Sequence, residues 1–168
     1  FGRLDGIAHI AGILGGREPI QSHRPTQWDL AIQINLTSIF QLTQALLPLL
    51  DESQSGRIVF ATSSVGVRIE AYWGAYAVSK AGLEMFAGVL SQELENTSST
   101  RVFIVNPGGT RTKMRSEAMP GENPATLPSA EFVADAFLYG LTEEAGAFHG
   151  ERVNARDFMD ALGTWTAS

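Results

Sequence analysis

Tyr76 and Lys80, four residues apart, are the pair of side chains in this sequence best suited to proton chemistry. The run 74–94 around them is rich in Ala, Leu, Glu, Met and Lys, which favour helix. On a helix, residues four apart share one face, so the phenol and the ammonium would project side by side. A neighbouring cation would lower the pKa of the phenol from about 10 and make it a usable general acid or base. The same spacing also arises by chance. The alternative to a catalytic pair is a surface lysine beside a half-buried tyrosine.

The elements around this pair alternate between buried strands and helices. Short apolar runs predict strands over residues 6–13, 57–62, 102–105 and 150–155. Helical periodicity predicts helices over residues 26–47, 74–94 and 129–143, the first opened by a capping-box variant at Thr26 and Asp29 and the last capped by Ser129. Residues beyond Arg156 carry no assignment. The alternation indicates an α/β fold with a parallel sheet and helices on both faces.

Unusual sequences lie at the carboxyl ends of three of the predicted strands. They are Ala11-Gly12, Ser63-Ser64 and Pro107-Gly108-Gly109-Thr110. In such sheets ligands bind beyond the carboxyl ends of the strands, so these segments should meet at one site. The polar segment 110–128 has no clear period and is predicted to be a binding loop or lid.

Composition narrows the classes of function. The 168 residues fit one domain, spanning 1–168, and the net charge of −6 without a basic cluster disfavours nucleic acid and anionic membranes as partners. The longest apolar run, residues 45–50, is too short to cross a bilayer. The sequence has no cysteine, which fits a cytoplasmic, reducing location, and its three scattered histidines predict no metal site.

Taken together, these motifs resemble the classical short-chain dehydrogenase/reductase family. The ordered set that carries the resemblance is Ala11-Gly12, Asn35, Ser64, Tyr76-x-x-x-Lys80 and Pro107-Gly108-x-x-x-Thr112. The stretches 62–66, 73–76 and 106–112 most resemble its YciK-like subgroup. The resemblance implies a Rossmann-like doubly wound parallel sheet, of which this sequence would hold the C-terminal two-thirds. The N-terminal βαβαβ half, with the Gly-rich dinucleotide turn, is not in it.

The resemblance also implies roles for four catalytic residues. Tyr76 would be the acid/base, and Lys80 would lower the pKa of Tyr76 and hold the nicotinamide ribose. Ser64, assigned ahead of Ser63 because it directly precedes Val65-Gly66, would hydrogen-bond the substrate oxygen. Asn35 would anchor a water that links Lys80 to solvent.

The implied cofactor is NAD or NADP, with NADP favoured, and no metal is implied. The residues expected to contact the cofactor are Ala11, Gly12, Tyr76, Lys80, Pro107, Gly108, Thr110 and Thr112. One departure is His9-Ile10, where the family has Asn-Asn. We interpret Ile10 as a tolerated change, although loss of that polar side chain could weaken cofactor binding.

The leading functional hypothesis is an NAD(P)-dependent oxidoreductase that interconverts a small secondary alcohol and a ketone. Two alternatives stay open: an epimerase or dehydratase of the extended branch, and a non-catalytic NAD(P)-binding or assembly protein. We further expect residues 1–168, expressed alone, to be inactive and poorly soluble, because strand 6–13 would lack a neighbour.

Apolar residues on two of the predicted helices indicate self-association. The helices 26–47 and 74–94 carry apolar residues over arcs wider than a sheet can cover, namely Trp28, Ile39, Phe40, Leu83, Met85, Phe86 and Leu90. We therefore expect a homodimer or homotetramer that pairs through these two helices.

Overall fold

The computed structural model describes residues 2–163. Its sheet has four parallel strands in the order β1-β2-β3-β4. They are β1 Gly6–His9, β2 Arg57–Ala61, β3 Arg101–Asn106 and β4 Arg152–Asn154. The predicted parallel α/β architecture is confirmed, and β1 and β4 form the edges of the sheet.

The helices lie on both faces of this sheet. They are α1 Pro25–Ile32, α2 Ser38–Asp51, α3 Gly74–Leu94, α4 Lys113–Ala118, α5 Ala130–Tyr139 and α6 Ala155–Leu162. One turn of π-helix, Gln33–Thr37, joins α1 to α2, so the two run as one continuous element. The predicted bounds of α3 are confirmed, as is the cap of α5, where the Ser129 hydroxyl accepts a hydrogen bond from the Phe132 amide at 3.2 Å.

Several predicted boundaries are wrong. The first helix begins at Pro25 rather than with a Thr26 capping box, because proline suits the first helical position, where no amide donor is needed. Strand β1 ends at His9, before the Gly-rich turn. The segment 110–128 contains α4, capped by the Thr112 hydroxyl, and α5 stops at Tyr139. The unassigned residues after β4 form α6.

Alternating side chains of the central strands build two apolar layers. Ile58 and Phe60 of β2 pack with Leu83 in the cluster formed with α2 and α3. Val59 of β2 and Phe103 of β3 pack in the opposite cluster, formed with α5 and α6. Every residue of β2 is buried, as expected of a strand covered on both faces. The result is a three-layer α/β/α arrangement.

The helix Pro25–Asp51 is, by length and composition alone, apolar enough to span a membrane, and helices that cover a sheet pass the same test. The expectation drawn from the run 45–50 therefore understated its apolar length. In this fold the helix packs on α3, where a Cβ placed at Gly82 would lie 2.7 Å from the Leu36 side chain.

Candidate active site

A cavity of about 370 Å³ opens beyond the carboxyl ends of β1, β2 and β3. Among the predicted site residues, those in its wall are Gly12, Tyr76, Lys80, Pro107, Gly108, Thr110 and Thr112. The remaining three are not in the wall: Ala11 is exposed beside it, Asn35 is buried behind it, and Ser64 lies in the following turn. The predicted meeting of strand-end segments is thus present in the structure.

Tyr76 and Lys80 lie side by side on the first two turns of α3, as their spacing predicts. Both are buried, and the Lys80 Nζ is 5.8 Å from the centroid of the Tyr76 ring. The same Nζ donates a hydrogen bond of 2.7 Å to the carbonyl oxygen of Ala61, at the end of β2. The ammonium therefore joins the helix to the central strand while it faces the cavity.

Burial controls the proton affinity of this pair. It raises the pKa of the Tyr76 phenol above its usual value, against a smaller lowering by a hydrogen bond with the Ser63 side chain. The expected net lowering of the Tyr76 pKa is therefore wrong for this structure. Burial lowers the pKa of Lys80 to about 8, and the negative charge of Glu84 opposes that change. At neutral pH the pair is a phenol beside an ammonium, which suits proton donation.

Ser63, rather than Ser64, is the serine at the cavity. Ser63 continues the extended backbone of β2, with φ −157° and ψ 153°, and its side chain hydrogen-bonds Tyr76. Ser64 opens a single turn of 3-10 helix, Ser64–Gly66, and does not line the cavity. The position of Ser64 directly before Val65-Gly66 predicts Ser64 for this role. Nearness to the strand end was the signal that would have favoured Ser63.

Asn35 lies fully buried in the π-helical turn, a feature that often marks functional sites. Its Oδ1 accepts from the Ile13 amide at 2.8 Å, and its Nδ2 donates to the Ile13 carbonyl at 2.9 Å and to the Ser79 hydroxyl at 3.0 Å. A Cβ at Gly12 would lie 3.2 Å from Asn35 Oδ1 and 3.7 Å from Lys80 Nζ. Asn35 thus holds the turn after β1 against the face of α3 that carries Tyr76 and Lys80.

The turn after β3 supplies the opposite wall. Gly108 adopts φ +67°, a conformation that side chains rarely take, and no heavy atom lies within 4 Å of where its Cβ would be. The Asn106 side chain accepts a hydrogen bond from the Gly108 amide at 3.2 Å and so shapes the turn. Small residues leave this backbone open to close approach by a ligand.

Large apolar side chains make up much of the rest of the wall. Sequence reasoning missed four of them: Leu14 in the loop after β1, Trp73 just before α3, and Val133 and Phe137 on α5. On helices, such residues follow the same periodicity as core residues, so the pattern does not separate them. From the segment predicted to be a lid, Met114, Arg115 and Ala118 reach the cavity. Within residues 2–163, no three His, Asp or Glu side chains are grouped to hold a metal ion.

The family model for short chain dehydrogenases matches residues 1–123. The chain is 42% identical over 145 residues to the uncharacterized oxidoreductase YciK of Escherichia coli, covering 86% of this chain and 57% of YciK. It is 36% identical over 124 residues to a benzil reductase ((S)-benzoin forming), IRC24, of Saccharomyces cerevisiae, covering 69% of this chain and 46% of that relative.

Solved structures agree with these matches. A short chain dehydrogenase from Escherichia coli CFT073, complexed with NADPH, has a TM-score of 0.88 and 40% identity over 93% of this chain and 64% of that chain. The chain therefore spans 46–64% of the length of these three relatives.

Proposed function

Because the chain belongs to the short chain dehydrogenase family, we propose that the full-length protein is an NADP-dependent oxidoreductase that interconverts a secondary alcohol and a ketone. The observation that carries the proposal is the common cavity wall formed by Ser63, Tyr76 and Lys80. Residues 1–168 would be the catalytic part of one domain. The cysteine-free composition supports a cytoplasmic location.

The residues present fit the nicotinamide end of a dinucleotide. Gly12 and Gly108 have no side chain, so a ligand can approach the backbone closely on two sides of the cavity. The buried ammonium of Lys80 can donate hydrogen bonds to ribose hydroxyls. Pro107, Thr110 and Thr112 would complete this wall, with Ala11 at its exposed margin. NADP is favoured over NAD because the E. coli relative was solved with NADPH. When bound, the cofactor supplies or accepts the hydride.

The side chains of this chain would handle the proton. In reduction, the Tyr76 phenol donates its proton to the substrate carbonyl oxygen, and in oxidation the phenolate takes it back. The Ser63 hydroxyl both donates and accepts hydrogen bonds, so it can hold the substrate oxygen next to the phenol. The Lys80 charge stabilises the phenolate that proton transfer leaves. Asn35 would anchor a water that connects Lys80 to solvent.

The apolar wall favours a ketone with a bulky hydrocarbon body. Trp73 and Phe137 present large surfaces, and Met114 is a flexible side chain that adapts to irregular shapes. The yeast relative is named for reduction of benzil, a diaryl diketone, and its name supports this class.

The assay that tests the proposal is NADPH oxidation by the full-length protein against a panel of ketones graded by size. We expect turnover with aryl and alicyclic ketones, and weaker turnover with acetone. Tight NADPH binding without turnover of any ketone or secondary alcohol would contradict the proposal and favour the non-catalytic alternative.

We also propose that the protein self-associates through α1–α2 and α3. Of the apolar residues predicted to support self-association, Ile39, Leu83 and Leu90 are buried in the core and cannot contact a second copy. The large apolar side chains that are exposed on these helices are Leu30, Phe40, Leu42, Leu49, Val78, Met85 and Val89. Their number on two adjacent helices supports a self-complementary surface, which we call the α2/α3 face.

A further inference from the structure

We propose that Glu84 and Arg152 form a brace that positions the catalytic helix α3 against the cofactor-binding turn after β3. Both would be positioning residues, since neither lines the cavity. The inference rests on the proposed function, because it concerns how the same site is held in its working geometry.

Glu84 is the centre of the brace. It lies one helical turn after Lys80, and its Oε1 accepts from the Thr62 hydroxyl at 2.5 Å and from Arg152 Nε at 2.7 Å. The side chains of Glu84 and Arg152 are only 14% and 25% exposed. A carboxylate withdrawn from water to this extent is stable only with such partners, so the arrangement resists displacement.

From Arg152 the contacts continue along the carboxyl edge of the sheet. Arg152 Nη1 donates to Asn154 Oδ1 at 3.2 Å, and Asn106 Nδ2 donates to the same oxygen at 2.8 Å. The other atom of that amide, Asn106 Oδ1, accepts from the Gly108 amide at 3.2 Å. A continuous series of hydrogen bonds therefore runs from α3 to the turn that carries Gly108.

On its other side the brace reaches Lys80. Thr62, held by Glu84, directly follows Ala61, whose carbonyl accepts the hydrogen bond from Lys80 Nζ. Thr62 also precedes Ser63, the serine of the cavity wall. Movement of Glu84 would thus be transmitted to the carbonyl that orients Lys80 and to the proposed substrate-binding serine.

The charge of Glu84 has a separate consequence. The titratable side chains facing Lys80 are Tyr76 and Glu84, both on α3, while β2 presents the Ala61 carbonyl and the π-helical turn presents uncharged Asn35. Arg152 faces Glu84 from β4. The Glu84 carboxylate raises the pKa of Lys80. Without that charge, Lys80 would lose its proton at a lower pH.

The test compares Glu84→Gln, Arg152→Gln and the double variant of the full-length protein. We expect each single change to raise the Kd for NADPH and to lower kcat/KM by about 10- to 100-fold, the scale of a small misplacement of reacting groups. The loss of kcat/KM in the double variant should not exceed the larger of the two single losses, because the effects of residues that act as a unit do not add. Glu70→Gln, which breaks the exposed Arg68–Glu70 pair at 3.0 Å, is the matched control and should leave both quantities unchanged.

The pH profile separates positioning from general loss of structure. In Glu84→Gln the fall in the rate of ketone reduction at alkaline pH should begin at a lower pH than in the wild type. In Arg152→Gln the Glu84 carboxylate remains, so the pH of this fall should not decrease. Arg152→Lys keeps the positive charge but lacks the planar guanidinium, so we expect it to retain part of the wild-type activity. It replaces Arg152→Gln in the test if that variant does not fold.

Wild-type NADPH affinity and kcat/KM in folded Glu84→Gln, or strictly additive losses in the double variant, would overturn the inference. If the wild-type protein reduces no ketone, the proposed function fails instead, and the NADPH Kd of the variants still tests the brace.

Discussion

The ammonium of Lys80 donates a 2.7 Å hydrogen bond to the carbonyl oxygen of Ala61, the last residue of the central strand β2. The bond joins the helix that carries Tyr76 to the strand that leads into Ser63. Because both ends of the bond are buried, the relative position of the three proposed catalytic groups is defined by the core rather than by a surface loop.

Tyr76→Phe should abolish most turnover. Loss of a general acid or base costs about 10²–10⁴ in rate. The ring contact of Tyr76 with Trp73, at 5.8 Å between centroids, should survive in the variant, so we expect NADPH affinity and folding to be nearly unchanged. Steady-state kinetics with calorimetric titration checks this. A kcat above about a tenth of the wild-type value would exclude the role given to Tyr76.

Ser63→Ala and Ser64→Ala form a matched pair of variants. Only Ser63 lines the cavity and hydrogen-bonds Tyr76, so we expect its loss to lower kcat/KM about 10-fold or more, the effect of one hydrogen bond to a charged or reacting group. Ser64→Ala should stay within about twofold of the wild type, since a factor of two is under 0.5 kcal/mol. Equal losses in the two variants, measured with one ketone, would reject the assignment to Ser63.

The rate of ketone reduction should fall as the pH rises through about 8. Burial lowers the pKa of Lys80 to that value, and above it the ammonium that stabilises the Tyr76 phenolate is lost. In Lys80→Arg the charge persists at every practical pH, so whatever activity remains should lack this limb. A limb at the same pH in Lys80→Arg would assign it to another group.

His9 should make the protein sensitive to mild acid. Its ring stacks on Phe60 at 5.2 Å, Nε2 lies 3.0 Å from the Thr43 hydroxyl, and burial lowers its pKa from 6.5 to about 4. Between pH 6.5 and 4 the unfolded chain therefore binds a proton that the folded chain does not. The free energy of unfolding consequently falls as the pH is lowered through this window, by at most about 3 kcal/mol.

The variant His9→Asn isolates this effect. We expect it to be less stable than the wild type at pH 7 but to lose less stability between pH 7 and pH 5, as measured by denaturant unfolding. Parallel losses in the two proteins over this range would show that His9 does not titrate as its burial implies.

The α2/α3 face should hold two or more copies of the chain together. Met85 is 70% exposed and Phe40 is 44% exposed, on adjacent helices. Light scattering at micromolar concentration should give at least a dimer, and Met85→Glu should shift it toward monomer because a charge would be buried at the contact. Lys113→Glu, at an exposed position of α4 outside this face, serves as the control for added charge. A monomeric wild type would contradict the proposal.

Local signals in the sequence determined much of the architecture. The bounds of α3, the common face of Tyr76 and Lys80, and the cap at Ser129 depend on residues within a turn or two of each other. The buried strands follow from short apolar runs, and their alternation with helices predicts the parallel sheet. These features depend on helical period, capping and crossover geometry, which neighbouring residues specify.

Other features depended on contacts between distant residues. Whether Ser63 or Ser64 reaches Tyr76 was decided by the backbone, which is still extended at Ser63, two residues beyond the strand, and then turns. The direction of the Tyr76 pKa was decided by how much of α3 the surrounding elements bury. Trp73 and Phe137 line the same cavity because the start of α3 and the helix α5, about 60 residues apart in the chain, both border it. Each of these outcomes depends on desolvation and on the packing of segments far apart in the chain, which only the tertiary structure brings together.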